Sequence, residues 1–292
     1  MIDSFLKYLQ YEKRFSKHTL SAYERDLNQL HFYLKDIYEV NDLKEVTHPI
    51  LRSWVVSLID SGIAPQSVNR KLATLKSFYK FLQARHYVTQ NPASRLKPLK
   101  TEKKLPSFVR EGEMTILLDQ LKFSEDFSGF RDKMILELLY ATGIRLSELI
   151  NLTDKQINFY QGSIKVLGKR NKERVIPIGD SFVRVIKEYL EIRNRDVGSA
   201  EGYLLVTDSG DQLYPMLVYR TVKKYLEQVT TLSKTSPHVL RHTFATHLLD
   251  KGADLNAVKD LLGHTSLAAT QVYTHNSMEK LKSAFDQAHP RA

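Results

Sequence analysis

The stretch NPASRLKPLKTEKKLPSFV, with Pro92, Pro98 and Pro106 set among lysines and arginines, interrupts the chain between two segments of helical periodicity. Proline fixes φ, lacks an amide donor and disfavours helical geometry in the residue before it. A continuous helix is therefore not expected to run through this stretch. The chain is expected to form two bodies, at 1–92 and 110–292, joined by an extended basic connector at 93–109. The length of 292 residues fits that division, because compact domains usually run to about 100–200 residues.

Within the first body apolar side chains recur at the 3.6-residue period. Phe5, Leu6 and Leu9 mark an opening helix, and Ser16 or Thr19 starts a second that turns Leu20, Tyr23, Leu27, Leu30 and Leu34 inward. A third helix surrounds Leu51, Trp54, Val55 and Leu58. A fourth follows Pro65, with Val68, Leu72, Leu75, Tyr79 and Leu82 as its apolar stripe and Gln66, Arg70, Thr74, Ser77 and Lys80 on or near the other face. Beyond Arg110 helices resume, and RDKMILELLYATGI ends at Gly143, a natural left-handed cap. The period then shifts to two. SIKVLG and RVIPI read as strands around the turn KRNKE, YLLVT is the candidate for a third strand, and helices return from Tyr214 to Phe285. The expected fold is mainly α, with one small antiparallel sheet in the second body.

Charge points to the partner. Forty-three Lys and Arg oppose 33 Asp and Glu, and the first 100 residues hold 16 of the bases and 9 of the acids. No acidic residue occurs from Ser61 to Thr101, where Arg70, Lys71, Lys76, Lys80, Arg85, Arg95, Lys97 and Lys100 all fall. A stretch of one sign neutralises phosphates and makes binding salt-sensitive. Double-stranded DNA is the expected partner, and Gln66, Arg70, Thr74 and Lys80 are the candidate groove-reading residues. An ordinary solvated face is the competing explanation of the same pattern. There is no cysteine, which removes disulfides, thiolate catalysis and Cys-based zinc sites. The opening MIDSFLKYLQYEKRF lacks the apolar core of a signal peptide, and no apolar run reaches membrane-spanning length. A cytoplasmic protein with no membrane association is expected.

Chemistry concentrates in HVLRHTFATHLLDKGADLNAVKDLLGHTSLAATQVYTH, which carries His238, Arg241, His264 and Tyr273, and in ATGIRLSEL, which adds Arg145. Two arginines can hold two non-bridging oxygens of a phosphodiester, histidines can move protons, and a tyrosine hydroxyl can attack phosphorus. None of this requires a metal or any other cofactor. His238, His242 and His247 lack the paired spacing with an intervening Glu that marks a zinc hydrolase, and there is no acidic cluster for a metal-dependent nuclease.

Taken together, FLKYLQYEKRFSKHTLSAYERDL, ATGIRLSEL, LGKRNKERVIPIG, HVLRHTFATHLL, LLGHTSLAATQVYTH and the terminal HPRA resemble, in that order, the blocks of the tyrosine recombinases of the phage integrase family, most nearly the bacterial Xer group. The resemblance implies a helical, SAM-like DNA core-binding domain at 1–92 and a mixed α/β catalytic domain at 110–292. It implies that Arg145 and Arg241 clamp the scissile phosphate, that Glu148 orients Arg145, and that His238 and His264 serve the same phosphate. Lys169 would be the general acid toward the leaving 5′ oxygen. Arg170 stands where the group commonly has Gly, so the turn geometry is open and Lys172 is the competing acid. Tyr273 would be the nucleophile, and its 3′-phosphotyrosyl link would allow strands to be exchanged without ATP.

The same resemblance implies a tetramer on paired recombination sites, formed with itself or a paralogous recombinase, and a Holliday junction. It implies resolution of chromosome dimers at cell division, with activation by an FtsK-type DNA translocase. An integrase of a mobile element is the alternative within the family, and a non-catalytic DNA-binding protein the alternative outside it. In the tail, Met278, Leu281 and Phe285 would line one face of a short helix. The resemblance suggests that this helix docks on a neighbouring recombinase; packing within its own subunit is the other outcome.

Overall fold

The computed structural model describes residues 1–102, 107–168, 173–197, 202–263, 285, 288 and 290. The chain forms two compact units, Met1–Lys104 and Leu105–Ala292. No described helix is long and apolar enough to cross a membrane.

The first unit is built from α1 (Ile2–Lys7), a following π turn (Tyr8–Glu12), α2 (Lys17–Tyr38), α3 (His48–Asp60) and α4 (Pro65–Ala84). Ser16 caps α2, its hydroxyl accepting the Thr19 amide at 3.3 Å, and Pro65 opens α4 where its missing N–H costs nothing. Phe5, Trp54, Phe78 and Tyr79 are sealed in the core, with Phe5 edge-on to Phe78. The Tyr79 hydroxyl keeps a partner by donating to the Leu43 carbonyl at 3.0 Å.

One expected DNA-reading residue is not on the surface. Thr74 is 0% exposed and donates to Asp26 of α2 at 2.9 Å. Asp26 is itself buried, and it draws the neighbouring polar groups of α4 toward it. Arg70 grips it with both terminal nitrogens, and Lys71 reaches it at 3.0 Å and Gln29 at 2.6 Å. Gln66, Arg70, Ala73 and Lys80 form the outward side of α4.

The basic connector is fastened at both ends. Ala93 and Leu96 belong to the core of the first unit, and the Asn69 side chain both donates to and accepts from the backbone of Leu99, at 2.9 and 2.7 Å. Val109 is buried in the second unit, its amide donating to the Thr243 hydroxyl at 3.0 Å. The Asn69 bonds, the Val109–Thr243 bond and the buried Ala93, Leu96 and Val109 thus hold the described parts of the connector.

The second unit comprises α5 (Glu111–Thr115), α6 (Phe127–Thr142), α7 (Leu146–Ile150), β1 (Ile157–Asn158), β2 (Ser163–Leu167), β3 (Glu173–Pro177), α8 (Asp180–Asp196), α9 (Pro215–Val229), α10 (Pro237–Asp250) and α11 (Leu255–Leu262). Helix α6 is buried on nearly every side and runs against α8, α9 and α10. The Tyr140 hydroxyl of α6 lies 2.9 Å from Nδ1 of the buried His247 on α10. Among the described residues the sheet is antiparallel in the order β1-β2-β3, with Ile164 opposite Ile176 and Leu167 opposite Glu173. The third strand is Ile157–Asn158 rather than YLLVT. That segment makes only isolated bridges, Thr153 with Tyr203 and Val206 with Gln212, and its Leu204, Leu205 and Val206 are all buried in the core.

In the tail, Phe285 is 0% exposed and Ala288 1%, both within the core of the second unit. Met278 and Leu281 lie outside the described residues.

Candidate active site

The site begins where α6 stops. Gly143 takes the left-handed conformation (φ +57°), and a Cβ there would lie 2.4 Å from the Phe244 ring, so both backbone and packing demand glycine. The reversal places Arg145 at the N-cap of α7, where its amide donates to Glu148 Oε2 at 2.8 Å and its Nη1 to Oε1 at 2.7 Å. Glu148 does orient Arg145, but it is not held by Arg145 alone. Arg174 of β3 closes on the same carboxylate with both terminal nitrogens, at 2.8 and 2.7 Å.

Arg241 completes the group from α10. Its Nη1 donates to the Gly143 carbonyl and its Nη2 to the Leu262 carbonyl at 2.7 Å. Arg145 Nη2 donates to the Gly263 carbonyl at 3.1 Å, and Arg174 Nε to the Leu261 carbonyl at 2.7 Å. Three guanidiniums thus grip three successive carbonyls at the C-terminal end of α11, where the helix dipole favours cations. Leu261 and Leu262 pin the helix in the core by their side chains, and Gly263 ends it in the left-handed region (φ +63°). A Cβ on Gly263 would come within 3.1 Å of Arg174 Cδ.

The electrostatics follow from three cations around one anion. Burial pushes the Glu148 carboxyl up, but the bonds and charge of Arg174, followed by those of Arg145, more than offset it and hold the group below its ordinary range. Arg241 is pushed down to about 10, first by burial, then by the charges of Arg145 and Arg174, with Glu148 acting the other way. It remains a cation at neutral pH. One carboxylate against three guanidiniums leaves two positive charges uncompensated within the described residues. Arg174 is only 3% exposed, whereas the Arg145 side chain is 32% exposed and Arg241 is half-buried. Each of these two open arginines spends two of its five donors on the bonds above, which leaves N–H groups for an outside anion.

Of the other expected residues, His238 is exposed in the first turn of α10, one turn before Arg241. Lys169, Lys172, His264 and Tyr273 lie outside the described residues; the first two fall between β2 and β3, and His264 directly follows Gly263 in the chain. The residue that sequence reasoning missed is Arg174. Its signal was present: in RVIPI it shares a face with the buried Ile176, and a charge on the inward face of a strand needs a partner.

Residues 107–280 match the Phage integrase family, and residues 2–86 match the Phage integrase N-terminal SAM-like domain. The chain is 38% identical over 317 residues to the tyrosine recombinase XerC of Chlorobaculum parvum, covering 100% of this chain and 94% of the relative. It is 35% identical over 294 residues to the tyrosine recombinase XerD of Staphylococcus haemolyticus, covering 100% and 99%. Its fold is similar to the crystal structure of the XerH site-specific recombinase bound to a palindromic difH substrate in a post-cleavage complex, with a TM-score of 0.74, 22% identity, and coverage of 97% of this chain and 84% of that one. With both units matched in order and full-length relatives above 30% identity, the chain belongs to the phage integrase family, among the tyrosine recombinases of the XerC and XerD kind.

Proposed function

We propose that this recombinase cuts each strand by attack of the Tyr273 hydroxyl on a phosphodiester held between Arg145 and Arg241, forming a 3′-phosphotyrosyl link and freeing a 5′ hydroxyl. The observation that carries the reading is the charge imbalance of the arginine cluster: two open guanidiniums, each with donors to spare, beside a single carboxylate already saturated from within. A phosphate in its pentacoordinate transition state gathers charge on the non-bridging oxygens, which is where preorganised donors contribute most. His238, one turn from Arg241, and His264, next in the chain to the gripped Gly263, would donate to the same phosphate. Lys169, between β2 and β3, would protonate the leaving oxygen, with Lys172 as the competing group. The phosphotyrosyl bond retains the energy of the broken link, so a partner strand's 5′ hydroxyl rejoins it without ATP or metal.

In this reading Gln66, Arg70 and Lys80 line the DNA face of the first unit, and the protein works in the cytoplasm as a tetramer on two double-stranded recombination sites through a Holliday junction. Its partner is a second copy or a paralogue, an FtsK-type translocase activates it, and the outcome is resolution of chromosome dimers. The full-length likeness to XerC and XerD, and to a Xer protein solved on a palindromic site, supports this assignment.

A nicked suicide substrate tests the chemistry. The protein is expected to become covalently attached to DNA with or without EDTA, and Tyr273→Phe to abolish the adduct while leaving binding intact; an adduct that persists in Tyr273→Phe removes the nucleophile assignment. Mapping bound DNA in cells tests the biology. One peak near the replication terminus fits dimer resolution, and scattered peaks at element ends point to mobile-element integration.

A further inference from the structure

Arg174 is the buried member of the cluster, 3% exposed. A buried guanidinium is costly unless its donors are met, and here the fork spans Glu148 while Nε takes the Leu261 carbonyl. Each Glu148 oxygen is thereby shared. Oε1 accepts from Arg145 Nη1 and Arg174 Nη1, and Oε2 accepts from the Arg145 amide and Arg174 Nη2. A carboxylate bound in this way is fixed in orientation and has no free lone pair directed at the phosphate side of Arg145.

Three elements meet at this one side chain: β3, which bears it, α7 through Glu148, and α11 through Leu261. Arg174 also follows Glu173, the residue opposite Leu167 where the β2–β3 ladder ends.

We propose that Arg174 is a positioning residue for strand cleavage: by bridging Glu148 and the Leu261 carbonyl it holds the carboxylate turned so that Arg145 presents its free donors to the scissile phosphate, and it ties β3 to the same frame. The proposal rests on the phosphate-clamp reading above. Among the described residues the charged groups facing Glu148 are Arg145 on its own helix, Arg174 from β3 and Arg241 from α10. Without Arg174 the carboxylate loses two bonds and a neighbouring charge while staying buried, so its protonation moves to higher pH. Below that point Arg145 loses its anionic support.

The test is single-turnover adduct formation on the nicked substrate, at saturating protein, across about pH 5.5 to 9, for the parent and Arg174→Gln. DNA affinity and thermal melting are measured beside it. The variant is expected to bind DNA within a few-fold of the parent and to cleave on the order of 10²-fold more slowly, the scale set by a misplaced catalytic group. The deficit should deepen toward acid pH and level off toward alkaline pH. A loss confined to stability would instead give one constant factor at every pH. Arg174→Lys, which keeps the charge but cannot span both oxygens and the Leu261 carbonyl, should also be slow, with a shallower pH dependence. A pH-independent deficit, an unchanged rate, or failure of both variants to fold overturns the proposal. If the parent itself forms no adduct, the recombinase reading fails instead, so the two failures are distinguishable.

Discussion

Asp26 shows how much one side chain decides in the first unit. It is sealed between α2 and α4 with Thr74, Lys71 is buried beside it at 9% exposure, and Arg70 keeps nearly half its side chain in solvent. The Arg70 contact is therefore partly screened, and most of the electrostatic stabilisation comes from the enclosed partners. Removing one partner of a buried ion pair leaves an uncompensated charge, so Asp26→Ala, which strands Lys71, is expected to destabilise the first unit by about 3–5 kcal/mol in denaturant unfolding. A loss below about 1 kcal/mol would mean that Lys71 escapes to water. The same residue explains where reading at this scale succeeds and fails. The motifs that single out Arg145, His238 and Arg241 are local, and the structure brings Arg145 and Arg241 together at the end of α11. Thr74 was misplaced because a helical wheel assigns polar groups to water, and it cannot register a buried acid on another helix 48 positions away. Arg174 went unread for a related reason, since its partner lies 26 residues back.

Among the elements, α6 and its turn carry the greatest consequence for the site. Gly143 bends the chain, leaves its carbonyl for Arg241 and lies against Phe244. Gly143→Ala adds the cost of a left-handed residue, about 1–2 kcal/mol, to that of overpacking, about 1–3 kcal/mol. We expect a lower melting temperature and a fall in cleavage larger than any fall in DNA affinity; equal losses of the two would show that the turn serves folding alone. The glycine cap, the Ser16 cap and the two main strands were legible because each has a local chemical cause. YLLVT and Ile157–Asn158 were not, because a short fully apolar run and a two-residue strand are chosen by what packs on them. Helix α6 itself was read from RDKMILELLYATGI and its glycine cap; its burial on nearly every side was not, because that depends on the elements packed around it.

For the whole molecule, charge and catalysis are separable. The basic excess sits mainly in the first 100 residues, whereas the arginine cluster is in the second unit and partly buried. Exposed charges are screened within about 10 Å at 0.1 M salt, and buried ones far less. Raising salt from about 50 to 200 mM should therefore lower DNA affinity on the order of 10³-fold, as for a protein with several phosphate contacts. The cleavage rate of the saturated complex should change by less than about threefold. A rate that falls in step with affinity would place the clamp among the ordinary backbone contacts. The two-body organisation was legible from Pro92, Pro98 and Pro106. The anchoring of Leu99 and Val109 was not, because it depends on Asn69 and Thr243, which the connector's own composition does not reveal.

The acceptors that hold the arginines from behind are main-chain oxygens of Gly143, Leu261, Leu262 and Gly263. Every amino acid brings a carbonyl, so no point substitution deletes one of these partners; it can only tilt the backbone that carries it. The geometry of the site is in that sense insured against mutation at four of its supports, and its genetic vulnerability narrows to the three arginines themselves, the two glycines that shape the turns and the lone carboxylate of Glu148. A lineage can redesign the exposed side chains of α11 to suit new neighbours while the carbonyls that hold the three arginines are inherited unchanged.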